Sequence, residues 1–288
     1  MPSALVLIDK QPGWTSHDVV AKLRGILGTR KIGHAGTLDP MATGLLVLGV
    51  DGGTKLLQFI SGSDKQYIAT IRLGAATHTD DAEGEIISTA SVAGVTLELI
   101  DAQIAKLTGP ITQIPSSVSA IKVDGKRAYD LVRDGKEVEL KGRSVTVSQF
   151  KRTSEIRSVG DYLDFDVVVD CSSGTYIRAL ARDIGNALNV GGHLTMLRRT
   201  KIGNFDLENA TEIDKPPVAI PLREAVLKLF PAIDLTSDQA RDIVHGKRVQ
   251  IASEGMVAGM WNGELLAVLE PAGSQLKSVV VFPEVFNA

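Results

Sequence analysis

One carboxylate of this sequence stands in a setting suited to chemistry: Asp39, in the segment GHAGTLDPMATGLL. Pro40 follows it and steers its backbone away from the helical region toward an extended conformation. Gly33, Gly36 and Gly44 let the chain turn sharply and approach a ligand closely. A carboxylate on such a loop can act as a nucleophile. An Asx turn or a helix cap is the alternative for an Asp-Pro pair, and the loop alone does not separate them.

An arginine and a tyrosine elsewhere in the chain could complete such a site. Arg178 falls in the first turn of a predicted helix, where the macrodipole disfavours a cation by roughly 0.3–1 kcal/mol. It therefore needs an anion, and a pair with Asp39 would keep that carboxylate ionised. A surface arginine extended into water is the other interpretation. Tyr67 lies in an alternating segment, where its ring either packs in the core or stacks on an extruded base, worth about 1–3 kcal/mol.

The segment GVDGGTK at 49–55 is similar to a phosphate-binding loop. The Walker pattern requires Gly-Lys followed by Ser or Thr, whereas the order here is Gly-Gly-Thr-Lys. Gly53 and Thr54 instead predict the start of a helix through TKLLQFI. A phosphate-binding enzyme that uses this loop stays as an alternative, which a nucleotide titration would settle.

Hydrophobic periodicity and turn residues predict the elements that must position these side chains. A strand over 5–8 precedes a helix with Ser16 as its N-cap and Gly28 at its end. The segment KIGHAGTLDPMATG has no sustained period and predicts a loop, which leads into a buried strand, LLVLGV. Alternation predicts strands over 66–73 and 162–171, and helices are predicted through LELIDAQIAKL and YIRALARDIGNAL.

Two segments differ in character from the rest. Residues 114–143 hold seven basic and five acidic side chains and three glycines, which predicts a projecting, partly mobile insertion. After Pro216-Pro217 a helix through DQARDIVHG precedes short predicted strands near 247–251, 256–261, 264–270 and 277–283. We therefore expect a catalytic domain over 1–225 and a small β-rich domain over 226–288.

Charge and composition permit a polyanionic partner without demanding one. The chain of 288 residues carries a net charge of −3. Residues 171–205 hold five basic residues and one acidic residue, which predicts a basic face, whereas residues 206–288 hold seven basic and twelve acidic ones. No apolar run or leader pattern indicates a membrane or export, so we expect a cytoplasmic protein. The single cysteine, Cys171, excludes an internal disulfide, and no Cys/His cluster indicates a metal.

Five motifs, in this order, resemble the TruB family of tRNA pseudouridine-55 synthases, and they cover roughly residues 9–205. The matching stretches are DKQPGWTSHDVV, GHAGTLDPMATGLLVLGVDGGTK, DKQYIATIRLG, IPSSVSAIKVDGKRAY, and CSSGTYIRALARDIG followed by HLTMLRRTKIGNF. The resemblance implies an α+β pseudouridine synthase fold. Such a fold has a central mixed, mainly antiparallel sheet flanked by helices, with a small C-terminal β-rich, PUA-like domain.

The resemblance also implies roles for individual residues. Asp39 matches the catalytic aspartate, Arg178 the arginine that pairs with it, and Tyr67 the tyrosine that stacks on the target base and assists proton removal at C5. His34 matches a histidine that stabilises the everted-base arrangement, and 114–143 matches a thumb insertion that closes over RNA. The further residues assigned to substrate or RNA binding are Lys10, Leu197, Lys122, Lys126, Arg127, Arg198 and Arg199.

The implied reaction is isomerisation of a T-loop uridine of tRNA, after the base has been extruded at a cost of a few kcal/mol. The aspartate acts at the sugar C1′, on a sugar proton or at uracil C6, and these routes stay open. The reaction is expected to need no metal, no organic cofactor, no membrane and no protein partner, and the enzyme is expected to be a monomer. A guide-RNA-dependent synthase subunit and a tRNA-binding folding chaperone with incidental catalysis are the two alternatives.

Overall fold

The computed structural model describes residues 3–116, 122–123, 126–127 and 141–286, so most of the predicted insertion over 114–143 lies outside the described residues. Within these ranges no helix is both long and apolar enough to cross a membrane. The strands are β1 Ala4–Lys10, β2 Ile32–Ala35, β3 Thr43–Val50, β4 Lys65–Leu73, β5 Ala75–Thr77, β6 Ile86–Thr89, β7 Gly109–Gln113, β8 Lys122–Val123, β9 Lys126–Arg127, β10 Arg143–Arg152, β11 Arg157–Val159, β12 Tyr162–Cys171, β13 Gly192–Ile202, β14 Phe205–Asp206, β15 Thr211–Glu212, β16 Ala219–Pro221, β17 Ala232–Asp234, β18 Val257–Trp261, β19 Glu264–Ala272 and β20 Gln275–Val281. The α-helices are α1 Ser16–Leu27, α2 Leu57–Ser61, α3 Leu97–Lys106, α4 Ile177–Ala187, α5 Leu222–Leu227 and α6 Ser237–Val244, and 3-10 turns cover Asp51–Leu56, Leu207–Asn209 and Pro283–Val285.

A large mixed sheet carries the site. Its strands follow the order β15-β1-β3-β13-β4-β12-β10-β7. Most neighbours are antiparallel, while β1 with β15 and β3 with β13 are parallel. This arrangement confirms the mainly antiparallel mixed sheet expected from the sequence. The parallel contact pairs Arg199 on β13 with Gly44 on β3, which brings the end of the Asp39 loop beside β13.

The two-residue period of β4 sorts its side chains between core and solvent. Tyr67, Ala69 and Ile71 are buried in one cluster with Leu180 and Ile184 of α4. The opposite face of β4 is polar and makes hydrogen bonds with side chains of β12. The alternation predicted over 66–73 is therefore confirmed, and it places the Tyr67 ring on the helix-covered face.

Strands β1 and β3 are buried on both faces, as their continuous apolar runs require. On one face Val19 and Leu23 of α1 pack against Ile8 and Leu48. The opposite face joins a cluster that contains side chains of β18, β19 and β20, such as Val268. The C-terminal strands thus share a core with the large sheet.

The tail forms a separate four-stranded sheet in the order β17-β18-β19-β20, beside α6. This result confirms the β-rich tail and three of its four predicted strands. The fourth, near 247–251, is wrong, because that segment makes only an isolated bridge between Val249 and Leu276.

Three local predictions are corrected by the structure. Thr15, not Ser16, is the N-cap of α1, where it forms a capping box with Asp18. Gly28 ends that helix in the left-handed conformation, as expected. The segment predicted as one loop begins with strand β2, which pairs with β3, so the loop itself spans only 36–42. The helix predicted from Gly53 is a 3-10 turn followed by the short α2.

Gly44 closes this loop in a conformation that suits glycine. Its φ is +97°, and a Cβ there would overlap the backbone carbonyl oxygen of Arg199 on the parallel neighbour strand. The close backbone contact between β3 and β13 therefore requires the absence of a side chain.

We expect Gly44→Ala to lower the free energy of unfolding by about 3 kcal/mol or more, since it combines a left-handed backbone with a backbone overlap. Urea unfolding followed by circular dichroism would measure the loss. Gly25→Ala in α1 is the matched control, because nothing lies within 4 Å of a Cβ at that position. The control should leave stability unchanged or raise it by about 0.4–1 kcal/mol, and equal losses for both variants would contradict the assignment.

Candidate active site

The predicted pair of Asp39 and Arg178 forms. The Arg178 Nη2 lies 3.0 Å from Asp39 Oδ2, and its Nη1 lies 3.2 Å from Asp81 Oδ2. Nη1 also donates a hydrogen bond of 2.7 Å to the carbonyl oxygen of Thr79. Arg178 is 5% exposed, so the interpretation as a solvated surface arginine is excluded. The side chain of Asp39 is 40% exposed, which leaves its carboxylate accessible from the cavity.

Helix α4 places Arg178 in its first turn, where the helix dipole opposes a cation. Two carboxylates compensate for this position. Asp81 is 2% exposed, and it accepts hydrogen bonds from the Thr79 hydroxyl at 2.5 Å and the Glu83 backbone N–H at 3.1 Å. These donors hold the Asp81 carboxylate beside Arg178. Asp81 was not among the residues predicted from the sequence, although it lies in the acidic run THTDDAEGE.

A cavity of about 430 Å³ opens beside this ion pair. Its lining includes Asp39, Arg178, Tyr67 and Leu197, with Gly174 and Thr175 at the start of α4. Tyr67 is 8% exposed, and burial raises the pKa of its phenol while the charge of Arg199 opposes that rise. The phenol is therefore protonated at neutral pH. The volume lies in the range of small-molecule sites and suits one extruded nucleoside.

Lys10 holds the loop from one side. It is fully buried, and its Nζ donates hydrogen bonds to the carbonyl oxygens of Gln11 at 3.0 Å, Trp14 at 2.6 Å and Pro40 at 3.1 Å. Burial lowers the pKa of Lys10 to about 8, while the charge of Asp39 opposes the shift. The ammonium group is therefore still mostly protonated at neutral pH, and it fixes the residue that follows the nucleophile candidate.

Ser16 and Arg199 hold the loop from two other directions. The fully buried Ser16 hydroxyl accepts from the Leu38 N–H at 2.9 Å and donates to the Leu38 carbonyl at 3.3 Å. Arg199 is 1% exposed and donates to the carbonyls of Gly36 at 3.0 Å and Leu45 at 2.8 Å. The two residues that flank Asp39 are therefore held by buried polar side chains: Leu38 by Ser16 and Pro40 by Lys10.

The residues predicted to bind RNA lie in different environments. Lys10 is fully buried, whereas Arg199 is 1% exposed and lines the cavity. Both side chains bind backbone carbonyls of the Asp39 loop, and their contact with RNA stays a prediction. Arg198 is engaged by Asp9 through two hydrogen bonds, of 3.0 and 2.6 Å. Leu197 is buried and lines the cavity. The side chains of the remaining three candidates, which belong to the insertion, lie outside the described residues: Lys122, Lys126 and Arg127.

The basic face predicted from residues 171–205 is wrong. Besides the three arginines described above, Arg182 pairs with Asp80 at 3.2 Å and with Asp183 at 2.9 Å. Lys201 lies 3.4 Å from Asp206. The charge count was correct, but ion pairs and backbone carbonyls engage all five cations.

His34 lies on β2, close to the loop. Its ring packs edge to face on His17, with centroids 5.6 Å apart, and its Nδ1 is buried without a hydrogen-bond partner. Burial lowers the pKa of His34, and the neighbouring positive charges of His17 and Arg199 act in the same direction. Its imidazole is therefore neutral at pH 7. Within the described ranges, no three His, Cys, Asp or Glu side chains converge in a way that could hold a metal ion.

Comparison with protein families gives matches along most of the chain. The model of the TruB family pseudouridylate synthase (N terminal domain) matches residues 24–177. The models of the tRNA pseudouridylate synthase B C-terminal domain and of the tRNA pseudouridine synthase II C-terminal region match residues 178–215 and 230–283.

Similar proteins agree with the family models. The tRNA pseudouridine synthase B of Leifsonia xyli subsp. xyli is 53% identical, covering 98% of this chain and 97% of the relative. That of Corynebacterium glutamicum strain R is 52% identical, covering 96% of this chain and 95% of the relative.

Solved structures show the same fold at lower identity. A Cbf5-Nop10-Gar1 complex matches with a TM-score of 0.67 and 24% identity, over 97% of this chain and 84% of the other. An H/ACA ribonucleoprotein bound to a substrate RNA containing 2′-deoxyuridine matches with a TM-score of 0.68, 24% identity and the same coverage. With relatives above 50% identity over almost its whole length, the chain belongs to the TruB family of pseudouridylate synthases.

Proposed function

We propose that this protein isomerises uridine to pseudouridine in the T loop of tRNA, at position 55, with Asp39 as its catalytic carboxylate. The observation that carries the proposal is the 3.0 Å pair between Asp39 and a buried Arg178, at the wall of a cavity that Tyr67 also lines. Relatives named tRNA pseudouridine synthase B support the substrate and the reaction.

The reaction is an exchange of bonds within one nucleotide. The bond from the sugar C1′ to uracil N1 breaks, the base rotates, and a bond from C1′ to C5 forms. The proton on C5 leaves and N1 gains one, so no electrons and no group are transferred to another molecule. The chain must therefore hold the extruded base and supply one carboxylate, and the cavity lined by Asp39, Arg178 and Tyr67 can do both.

Each cavity residue has a separate task in this proposal. Arg178 orients the Asp39 carboxylate through their ion pair for its reaction at C1′, at a sugar proton or at C6. The neutral Tyr67 ring stacks on the base and lies where the C5 proton departs. Leu197 closes the apolar side. Except for Asp39, all these side chains come from strands or helices. The anchored loop around Asp39 therefore determines where its carboxylate points.

A stand-alone, monomeric, cytoplasmic enzyme fits best among the alternatives. The relatives with more than 50% identity are named as tRNA pseudouridine synthases, whereas the ribonucleoprotein complexes are 24% identical and indicate the fold alone. Conversion of a bare tRNA transcript by the purified protein would separate a stand-alone enzyme from a guide-RNA-dependent subunit.

We expect Asp39→Asn to reduce pseudouridine formation at least about a thousandfold, because the amide is no nucleophile or base. Release of tritium from C5-labelled tRNA under single-turnover conditions would measure it. The affinity for tRNA should change less than about threefold, since the substituted side chain is isosteric.

Asp166→Asn is the matched control, because Asp166 also accepts hydrogen bonds from an arginine, Arg157, but does not line the cavity. It should keep wild-type activity. A residual rate above one tenth for Asp39→Asn would remove Asp39 from catalysis. Full rescue of tRNA maturation in cells by the inactive variant would instead favour the chaperone role.

We expect Ser16→Ala to lower the free energy of unfolding by about 1–3 kcal/mol, because the buried N–H of Leu38 loses its acceptor. Activity should fall about tenfold or more at a temperature where the variant is folded, with tRNA affinity unchanged, because Asp39 is no longer held. Ser148→Ala, which removes an exposed hydroxyl bonded to the Asp170 carbonyl, should do neither. Wild-type turnover by a folded Ser16→Ala protein would show that the loop needs no such anchor.

A further inference from the structure

Among the described residues, four cations line the active cavity, and three of them already bind protein groups. Lys65 donates to the carbonyls of Ser61 at 3.0 Å and Ser63 at 2.7 Å. Arg178 binds two carboxylates, and Arg199 binds loop carbonyls. The fourth, Arg143, is exposed, and its guanidinium has no hydrogen-bond or ion-pair partner among the residues that the structure describes.

The fold fixes where Arg143 stands. It is the first residue of β10 and pairs in register with Gln113, the last residue of β7. The buried Gln113 amide accepts from the Tyr176 N–H at 2.7 Å and donates to the Tyr176 carbonyl at 3.0 Å. Tyr176 is the N-cap of α4. The ends of β7 and β10 are thereby tied to the helix that carries Arg178, with Arg143 at the cavity wall.

A nucleotide that enters this cavity brings a phosphate on each side of its sugar. Asp39 repels those phosphates, and the engaged cations have few donors left to offer. A guanidinium has five N–H donors in a fork that matches a phosphate. Among the described side chains that line the cavity, Arg143 is the cation whose guanidinium has no described partner.

We propose that Arg143 binds a backbone phosphate next to the extruded uridine and so positions that nucleotide over Asp39. This inference rests on the proposed function and assigns a phosphate subsite to the same cavity. Arg143 is a substrate-binding residue, and its charge compensates for the carboxylate that the phosphates must approach.

Binding of a T stem-loop RNA at several salt concentrations would test the charge contact. Arg143→Gln should weaken binding roughly five- to tenfold at 0.1 M salt and flatten the slope of log affinity against log salt by about 0.7–0.9, the value for one phosphate. Arg143→Lys, which keeps the positive charge, should retain most of the wild-type affinity and most of the wild-type salt dependence. Lys151→Gln is the matched control, because it removes an exposed cation of the same strand that does not line the cavity.

A neutral methylphosphonate on the 5′ or the 3′ side of the target uridine would identify the phosphate. At one of these two positions the modified RNA should bind wild-type protein about as weakly as Arg143→Gln binds normal RNA. The variant should then show no further loss with the modified RNA. Additive losses at both positions, or equal effects of Arg143→Gln and Lys151→Gln, would overturn the proposal.

The same samples separate this inference from the proposed function. If wild-type protein releases no tritium from C5-labelled RNA, the proposed function fails. The binding measurements with normal and modified RNA still test the contact between Arg143 and a phosphate. If wild-type protein reacts, but the losses from Arg143→Gln and from the methylphosphonate simply add at both positions, only the phosphate subsite fails. Thermal unfolding of each variant, expected within about 2 °C of wild type, excludes a folding defect as the cause.

Discussion

A guanidinium removed from water must keep anions beside it, and this requirement organises the site. Leaving a buried charge without its partner costs about 3–5 kcal/mol, so the buried Arg178 requires carboxylates within reach. Asp81 meets that need from a buried position. Asp39 meets it from the cavity side, where solvent reduces the strength of the pair. The same interaction that stabilises the arginine therefore holds the reactive carboxylate at the cavity wall.

The loop that carries Asp39 lies between two strands and is not part of a β-sheet, so side chains supply hydrogen bonds that hold it in place. Lys10, Ser16 and Arg199 bind backbone groups of the residues around Asp39. The approach of Gly44 to β13 then ties the loop to the sheet. Each anchor is buried, so the loss of one anchor leaves a backbone group of the loop without its partner, which is costly in free energy.

The sequence predicted those parts of the site that depend on local pattern. Alternation placed Tyr67 on a strand, and the helix dipole indicated that Arg178 needs an anion. It could not predict pairings between distant segments: Arg198 and Asp9 are 189 residues apart, and no local signal joins them. For the same reason the sequence did not show that Arg199 and Lys10 bind backbone carbonyls of the Asp39 loop. A charge count shows how many cations a segment holds, and tertiary contacts decide whether they face a ligand.

The engaged cations still act on the substrate, because carbonyl dipoles solvate a charge without cancelling it. Lys10, Lys65 and Arg199 bind mainly backbone oxygens, so their positive charges persist beneath the cavity. Burial lowers the pKa of both lysines to about 8, which keeps them mostly protonated at neutral pH. In the low dielectric of the core their field extends further than it would in water. A chain with a net charge of −3 can therefore present a positive local potential where an anionic nucleotide must enter.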